Sequence, residues 1–366
     1  MKSKREYDNE EPRAIREMKN KNVKKTKKKK GLKILGIIAV ILAILLGSVA
    51  GGGLAFINSK LGKMQQVDIE EADLAISSQT QKELANYRNI AIFGVDSRDN
   101  NLEKGNRSDC IIIASINKKT KEVRLISVYR DTYVQIEGHG LDKITHAYSY
   151  GSALLAMKTL NQNLDLNITE FVTVNFDSVA EAVDKLGGVQ INIESQEELK
   201  YLNSYIDETA KVTGKSAQKL SKTGRQTLNG VQAVAYSRIR YTSGGDYKRT
   251  ERMRTVITAM ANKLKTKSIS ELNSFMDFIL PKVYTNITTG DIISLLPSVE
   301  SFKIGESMGW PYETKGITLD RWYGVPVTLE SNVTKLHKEI FGQTEYEATE
   351  TVQEISNKII KKTGYK

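Results

Sequence analysis

The residues with the clearest chemical potential are arginines set among aspartates. Arg98, Arg107 and Arg130 stand near Asp96, Asp109 and Asp131, and Arg238, Arg240 and Arg249 form a second group around Asp246. Guanidinium forks match phosphate oxygens two at a time and stay charged, so this inventory suits a polyanion that must be oriented. Carboxylates among those arginines disfavour phosphate unless a divalent cation stands between. Mg²⁺ is typically held by one or two carboxylates plus the phosphates it bridges. The combination predicts a metal-bridged pyrophosphate, with Mg²⁺ (or Mn²⁺) as cofactor. The bland alternative is a set of surface ion pairs worth about 0–1 kcal/mol each. It is the weaker reading because the charges recur at the ends of apolar runs rather than on outward faces.

Those runs are residues 90–95, 110–116 and 123–128, with the length and β-branched content of buried strands. The short turn at 117–121 makes the second and third an antiparallel hairpin. Arg107 and Asp109 then enter one strand beside Arg130 and Asp131, which leave the other. If the first strand also returns antiparallel through 97–108, Asp96 joins the same rim. Further on, Ser152 can cap a helix with Ala153, Met157, Leu160 and Leu164 on one stripe, which is core packing or, less strongly, one wall of an apolar channel. A strand at 171–175 follows. Ser178 and Glu181 form a capping box for a helix at 179–186, Gly187-Gly188 stops it, and 189–193 resumes as a strand. This alternation predicts an α/β fold, an α-β-α sandwich with a mixed central sheet.

Residues 194–227 are polar and Lys-rich, a surface excursion with one helix. Asn229-Gly230 opens a short helix or turn, after which an extended 237–241 would put Arg238 and Arg240 on the same side. The helix from 246 to about 265 places Asp246, Arg249 and Met253 on one face. Beyond it, Val333, Leu336 and Ile340 make an amphipathic stripe closed by Gly342, and 352–362 is a basic terminal helix.

The net charge of +11 suggests nucleic acid until it is located. Residues 1–33 carry 14 Lys or Arg against 5 Asp or Glu, and the remainder is nearly neutral. Directly after this tail, 34–57 offers 24 residues without a charge, long enough to cross a hydrocarbon core of roughly 30 Å. Ser48-Val49-Ala50 resembles a signal-peptide cleavage site, but the very long basic region and the apolar continuation through Leu54, Ala55, Phe56 and Ile57 favour an uncleaved anchor. The lysines at 24–30 then lie inside and 58–366 outside, a single-pass type II topology in which membrane lipid is a partner. No helix-turn-helix or aromatic interleaving accompanies those lysines, so nucleic acid is not expected. The single cysteine, Cys110, sits in an apolar strand and reads as packing. An exported chain without disulfides suits a bacterium lacking an oxidising compartment, of Gram-positive type. His139, His146 and His337 lack metal-ligand spacing, and Thr209 replaces the first glycine of a P-loop ending in Gly214-Lys215-Ser216.

Taken together, Gly94-Val95-Asp96-Ser97-Arg98, Arg107-Ser108-Asp109, Ser127-Val128-Tyr129-Arg130-Asp131, Lys143-Ile144-Thr145-His146-Ala147-Tyr148, Leu228-Asn229-Gly230-Val231-Gln232-Ala233, Tyr236-Ser237-Arg238-Ile239-Arg240 and Asp246-Tyr247-Lys248-Arg249-Thr250-Glu251-Arg252 resemble the LytR-CpsA-Psr family of cell-envelope proteins. The resemblance implies a sandwich that holds a polyprenyl pyrophosphate, and a transferase moving a teichoic acid or capsule polymer from undecaprenyl pyrophosphate to peptidoglycan. By motif, Asp96 and Asp109 would hold the metal. Arg98, Arg107, Arg130, Arg238, Arg240 and Arg249 would bind the pyrophosphate, and Asp246, with Arg130 and Arg249, would serve catalysis. Tyr129 stands where proline is common and is expected to change little. Met253 stands where glutamine often follows and would remove a polar contact near the head group. The implied organisation is a basic cytoplasmic tail at 1–33, a span at 34–57, a stalk at 58–87, the catalytic domain at 88–265 and a C-terminal extension at 266–366. Pyrophosphate hydrolysis and transcription attenuation at the membrane are the alternative functions.

Overall fold

The computed structural model describes residues 59–366 apart from 61, 98–100, 104, 243–244, 265, 289 and 292–301. The predicted tail and span at 1–57, and Arg98, lie outside the described residues. Among the described residues no helix is long and apolar enough to cross a membrane.

In chain order, β1 (Gln65–Gln66), a 3-10 turn (Glu71–Leu74) and α1 (Ser78–Glu83) precede β2 (Tyr87–Val95), β3 (Ser108–Asn117) and β4 (Glu122–Val128). The hairpin of β5 (Tyr133–Ile136) and β6 (Gly140–Lys143) leads into α2 (Ile144–Leu164), β7 (Ile168–Asn175) and α3 (Phe176–Lys185). Then come β8 (Val189–Ile193), α4 (Gln196–Thr213), β9 (Gly224–Leu228), α5 (Gly230–Arg238), α6 (Gly245–Leu264) and α7 (Ile269–Ile279). The chain closes with β10 (Tyr284–Thr285), β11 (Lys303–Ile304), β12 (Met308–Trp310), β13 (Thr314–Thr318), β14 (Trp322–Pro326), α8 (Leu329–Phe341) and α9 (Glu350–Thr363).

The main sheet runs β1-β10-β7-β2-β3-β4-β11, with β12 also paired to β4. β2 and β4 are both antiparallel to β3, whereas β2 and β7 are parallel, so the sheet is mixed as expected. Its central strands are apolar at successive positions because both faces are covered. Ile90, Ile92 and Ile112 pack with α3, α4, α5, α6 and α7. Ala91, Phe93, Ile111 and Ile113 pack on the other face with α2, α8 and α9.

Several sequence expectations shift. β8 pairs only with β9 instead of entering the main sheet. Its alternating burial, with Val189, Ile191 and Ile193 inside and Gln190 and Asn192 exposed, is that of a strand with one covered face. α3 starts at Phe176 because Asn175, not Ser178, caps it, accepting the Ser178 N–H at 2.8 Å. α2 starts at Ile144, and Gly151 and Ser152 break it, Ser152 at φ 59°. Its stripe of Ala153, Met157, Leu160 and Leu164 is core on the α8 and α9 face, not channel wall. The expected stalk is partly integral, since Leu74 and Leu84 are buried in the same core. Residues beyond 265 supply β10 on one side of the sheet and β11 and β12 on the other.

Candidate active site

Strand direction gathers the charges. Val95 of β2 lies opposite Ser108 of β3, and Val128 of β4 opposite Ile111, so Asp96, Arg107, Asp109, Arg130 and Asp131 occupy one rim. β7 runs parallel to β2 with Asn175 beside Val95, which brings the first turn of α3 to the same rim.

At its centre Arg130 forms an ion pair with Asp109 and lies 3.6 Å from the Asp131 carboxylate. The buried Arg130 Nε–H has no hydrogen-bond acceptor among the described residues. Lys143 donates to Asp131 at 2.7 Å. Burial alone would raise the Asp131 carboxyl, but the Lys143 hydrogen bond and the charges of Arg130, Lys143 and Arg249 hold it below the usual carboxylate range. Arg240 approaches Asp109 at 3.8 Å, and Arg249 is only 2% exposed. The structure therefore brings together Asp109, Arg130, Arg240 and Arg249. Arg107 is exposed and makes no ion pair with a described residue. Arg238 does not share a side with Arg240: it ends α5, where strand alternation does not apply, and donates to Glu208 and Thr209 of α4 at 2.8 and 3.4 Å. The Asp246 side chain lies outside the described residues, although its backbone opens α6.

Three neighbours escaped the sequence reading. Arg254, also on α6, donates to Ser127 Oγ at 2.5 Å, and burial holds its guanidinium below the usual arginine value. Asp177 is pushed above the usual carboxylate range by burial, then by Glu181 and Asp96. Its signal was the parallel pairing of β7 with β2, which composition does not reveal. Arg252 donates to Glu198 at 2.7 Å, to the Ile239 carbonyl at 3.2 Å and to Thr242 at 2.9 Å. That buried clamp fixes the segment presenting Arg240.

Tyr129 and Met253 both do more than expected. The Tyr129 ring meets Tyr247 of α6 edge-on at 4.3 Å and occupies the space that a side chain at Gly309 would need. Met253 lines an apolar cavity between the sheet and α3, α6 and α7. Gly94, Cys110, Val172, Val256 and Met260 also face it, and Gly94 and Cys110 lie two and one residues from Asp96 and Asp109. Burial pushes the Cys110 thiol up to about 12, which suits packing rather than nucleophilic chemistry.

Among the described residues no group of three or more His, Cys, Asp or Glu could hold a metal ion. Two hard-oxygen carboxylates at neighbouring strand ends nonetheless fit Mg²⁺, which accepts one or two protein carboxylates and completes its shell with water and phosphate oxygens.

The lining of that cavity includes Gly94 and Cys110, close in sequence to Asp96 and Asp109 of the rim, and the LytR_cpsA_psr family model matches residues 54–325. The chain belongs to the LytR-CpsA-Psr family. The match extends on both sides of the expected catalytic boundaries at 88 and 265. Among LytR-CpsA-Psr relatives, the chain is 32% identical over 289 residues to the polyisoprenyl-teichoic acid–peptidoglycan teichoic acid transferase TagT of Bacillus subtilis (strain 168), covering 75% of this chain and 84% of that one. It is 33% identical over 206 residues to the corresponding transferase TagU of Enterococcus faecalis (strain ATCC 700802 / V583), covering 56% of this chain and 62% of that one. A solved structure of TagT bound to LI-WTA superposes with a TM-score of 0.53 at 25% identity, over 77% of this chain and 92% of that one.

Proposed function

We propose that this protein is a membrane-anchored phosphotransferase, acting outside the cell, that moves a glycopolymer of teichoic acid or capsule type from an undecaprenyl pyrophosphate carrier to peptidoglycan. The observation that carries this reading is an apolar cavity whose lining includes Gly94 and Cys110, two and one residues from Asp96 and from the Asp109 that pairs with Arg130. An isoprenoid chain suits an apolar lining, while a pyrophosphate requires the guanidiniums. The teichoic acid transferase activity of the TagT relative supports the same substrate class.

In this reading Arg130, Arg240 and Arg249 orient the pyrophosphate and neutralise charge that builds on its oxygens, where most catalysis of phosphoryl transfer lies. Arg107 reaches the same oxygens from the exposed edge, and Arg238 joins when the phosphate displaces Glu208. Asp96 and Asp109 would hold Mg²⁺, which would supply neutralising charge to the phosphate oxygens. A peptidoglycan hydroxyl attacks the glycan-side phosphorus. The new P–O bond forms as the bond to the bridging oxygen breaks, polyprenyl phosphate leaves, and Asp246 accepts the hydroxyl proton. Ion pairing with Asp109 holds Arg130 at the rim before substrate arrives.

The test is to incubate the full-length protein in detergent with a polyprenyl-pyrophosphate glycan, Mg²⁺ and peptidoglycan oligomers, and to identify products by mass spectrometry. A phosphodiester-linked conjugate is expected. Release of free phosphorylated glycan alone, with peptidoglycan unmodified, would replace the proposal with hydrolysis.

A further inference from the structure

The β13–β14 hairpin lies outside the chemistry above, yet it is tied to the site through both of its strands. Gly324 N–H donates to the Asp131 carbonyl at 2.9 Å, one residue past Arg130. Tyr247, beside Asp246, hydrogen-bonds Thr314 on the other strand. The inner face of the hairpin packs Tyr323 and Val325 into the α2, α8 and α9 core. Its outer face carries Trp322, 51% exposed.

The register explains how that indole is held. Trp322 pairs with Thr318, and Gly324 with Gly316, so these four residues share a face. A Cβ at Gly316 would come within 2.8 Å of the Trp322 ring nitrogen, and one at Gly324 within 3.6 Å of the ring's far edge. The indole thus covers a cross-strand glycine pair and turns its other side to solvent.

A second aromatic surface stands close by. Tyr150 is 45% exposed and stacks on His139 at 4.0 Å and 10°. The Tyr150 hydroxyl and His146 both bond Asp142, each at 2.8 Å. Arg321, paired with Asp320 at 2.8 Å, is near enough for its charge to act on Tyr150 and for that of Asp142 to act on it.

We propose that Trp322, with the Tyr150–His139 stack near the same hairpin turn, is a subsite for the glycan strand of the acceptor, and this rests on the transferase reading above. β-Linked N-acetylated amino sugars present axial C–H groups on a flat face, which packs on an aromatic ring, and equatorial polar groups at the edge. The exposed rings match the first feature, and Asp142, Asp320 and Arg321 match the second. Isoprenoid has no use for the charged border. The isoprenoid cavity also lies on the opposite face of the sheet, so donor tail and acceptor approach the rim from different sides.

The full-length protein in detergent provides two independent readouts. Only two tryptophans are present, and Trp310 is fully buried, so emission from the exposed Trp322 reports directly on a GlcNAc–MurNAc hexasaccharide. Saturable change in wild type, lost in Trp322→Ala, is expected whether or not transfer occurs. In the transfer assay, Trp322→Ala and Gly316→Val, which displaces the indole without removing it, should raise acceptor KM at least tenfold while retention of the prenyl-linked donor is kept. Trp322→Phe should restore KM to within about threefold. An unchanged emission in wild type, or an acceptor KM for Trp322→Ala within twofold of wild type, overturns the subsite. If wild type binds the hexasaccharide but transfers nothing, the transferase reading fails and the glycan site stands.

Discussion

Arg130 and Arg240 converge on Asp109 from β4 and from the segment after α5, so each should matter more than an ordinary surface arginine. Removing a charge-stabilising donor typically costs on the order of 10²–10³ in rate. Arg130→Ala and Arg240→Ala should each lose transfer on that scale in an assay of polymer attached to peptidoglycan. Asp131 offers a test in pH. Its lowered carboxyl binds a proton less readily in the folded state than in the unfolded one. The stabilisation is therefore present above the ordinary carboxylate value and disappears as pH falls through the lowered one. Asp131→Asn should melt earlier than wild type at neutral pH, and the difference in Tm should shrink below about pH 4. A constant difference across that range would assign the loss to packing rather than to charge.

At the scale of elements, the strands were legible because buried sheets demand continuous β-branched runs, and 90–95, 110–116 and 123–128 have them. The Asp–Arg rim followed from the hairpin turn alone. Asp177 did not, because its place depends on β7 pairing parallel to β2 across a long connection. Nor did the separation of Arg238 from Arg240, which turns on where α5 ends. The α2 stripe offered a channel wall only as the weaker alternative to core packing, and it is Met253, Val256 and Met260 of α6 that line the cavity, with α3 and α7. Amphipathic periodicity reports a covered face but not how tightly it is covered. Val256→Trp should fill that space and abolish retention of a polyprenyl pyrophosphate with little change in Tm. α6 also carries the Arg252 clamp on Glu198, both side chains nearly fully buried at 6% and 5% exposure. Breaking one partner of such a pair costs about 3–5 kcal/mol, whereas replacing both with apolar residues is often neutral. Chemical denaturation should find Arg252→Ala destabilised on that scale and Glu198→Leu/Arg252→Met largely restored.

For the molecule as a whole, the sheet reaches across what the sequence divided into domain and extension. β10 joins β7 while β11 and β12 extend from β4, and α8 and α9 cover the face opposite the cavity. A chain truncated after residue 265 loses sheet on both sides and that cover, so it should show no cooperative thermal transition. A sharp melt would restore the view of an autonomous 88–265 domain. In the proposed function this arrangement divides the two approaches to the rim, isoprenoid through the α3, α6 and α7 side and acceptor from the hairpin side. The most direct measurement of that account is mass spectrometry of peptidoglycan oligomers after incubation with the full-length protein, Mg²⁺ and a polyprenyl-pyrophosphate glycan. The account predicts glycan joined to the oligomer through a single phosphate, with polyprenyl monophosphate released. Unmodified oligomers beside intact donor would contradict it.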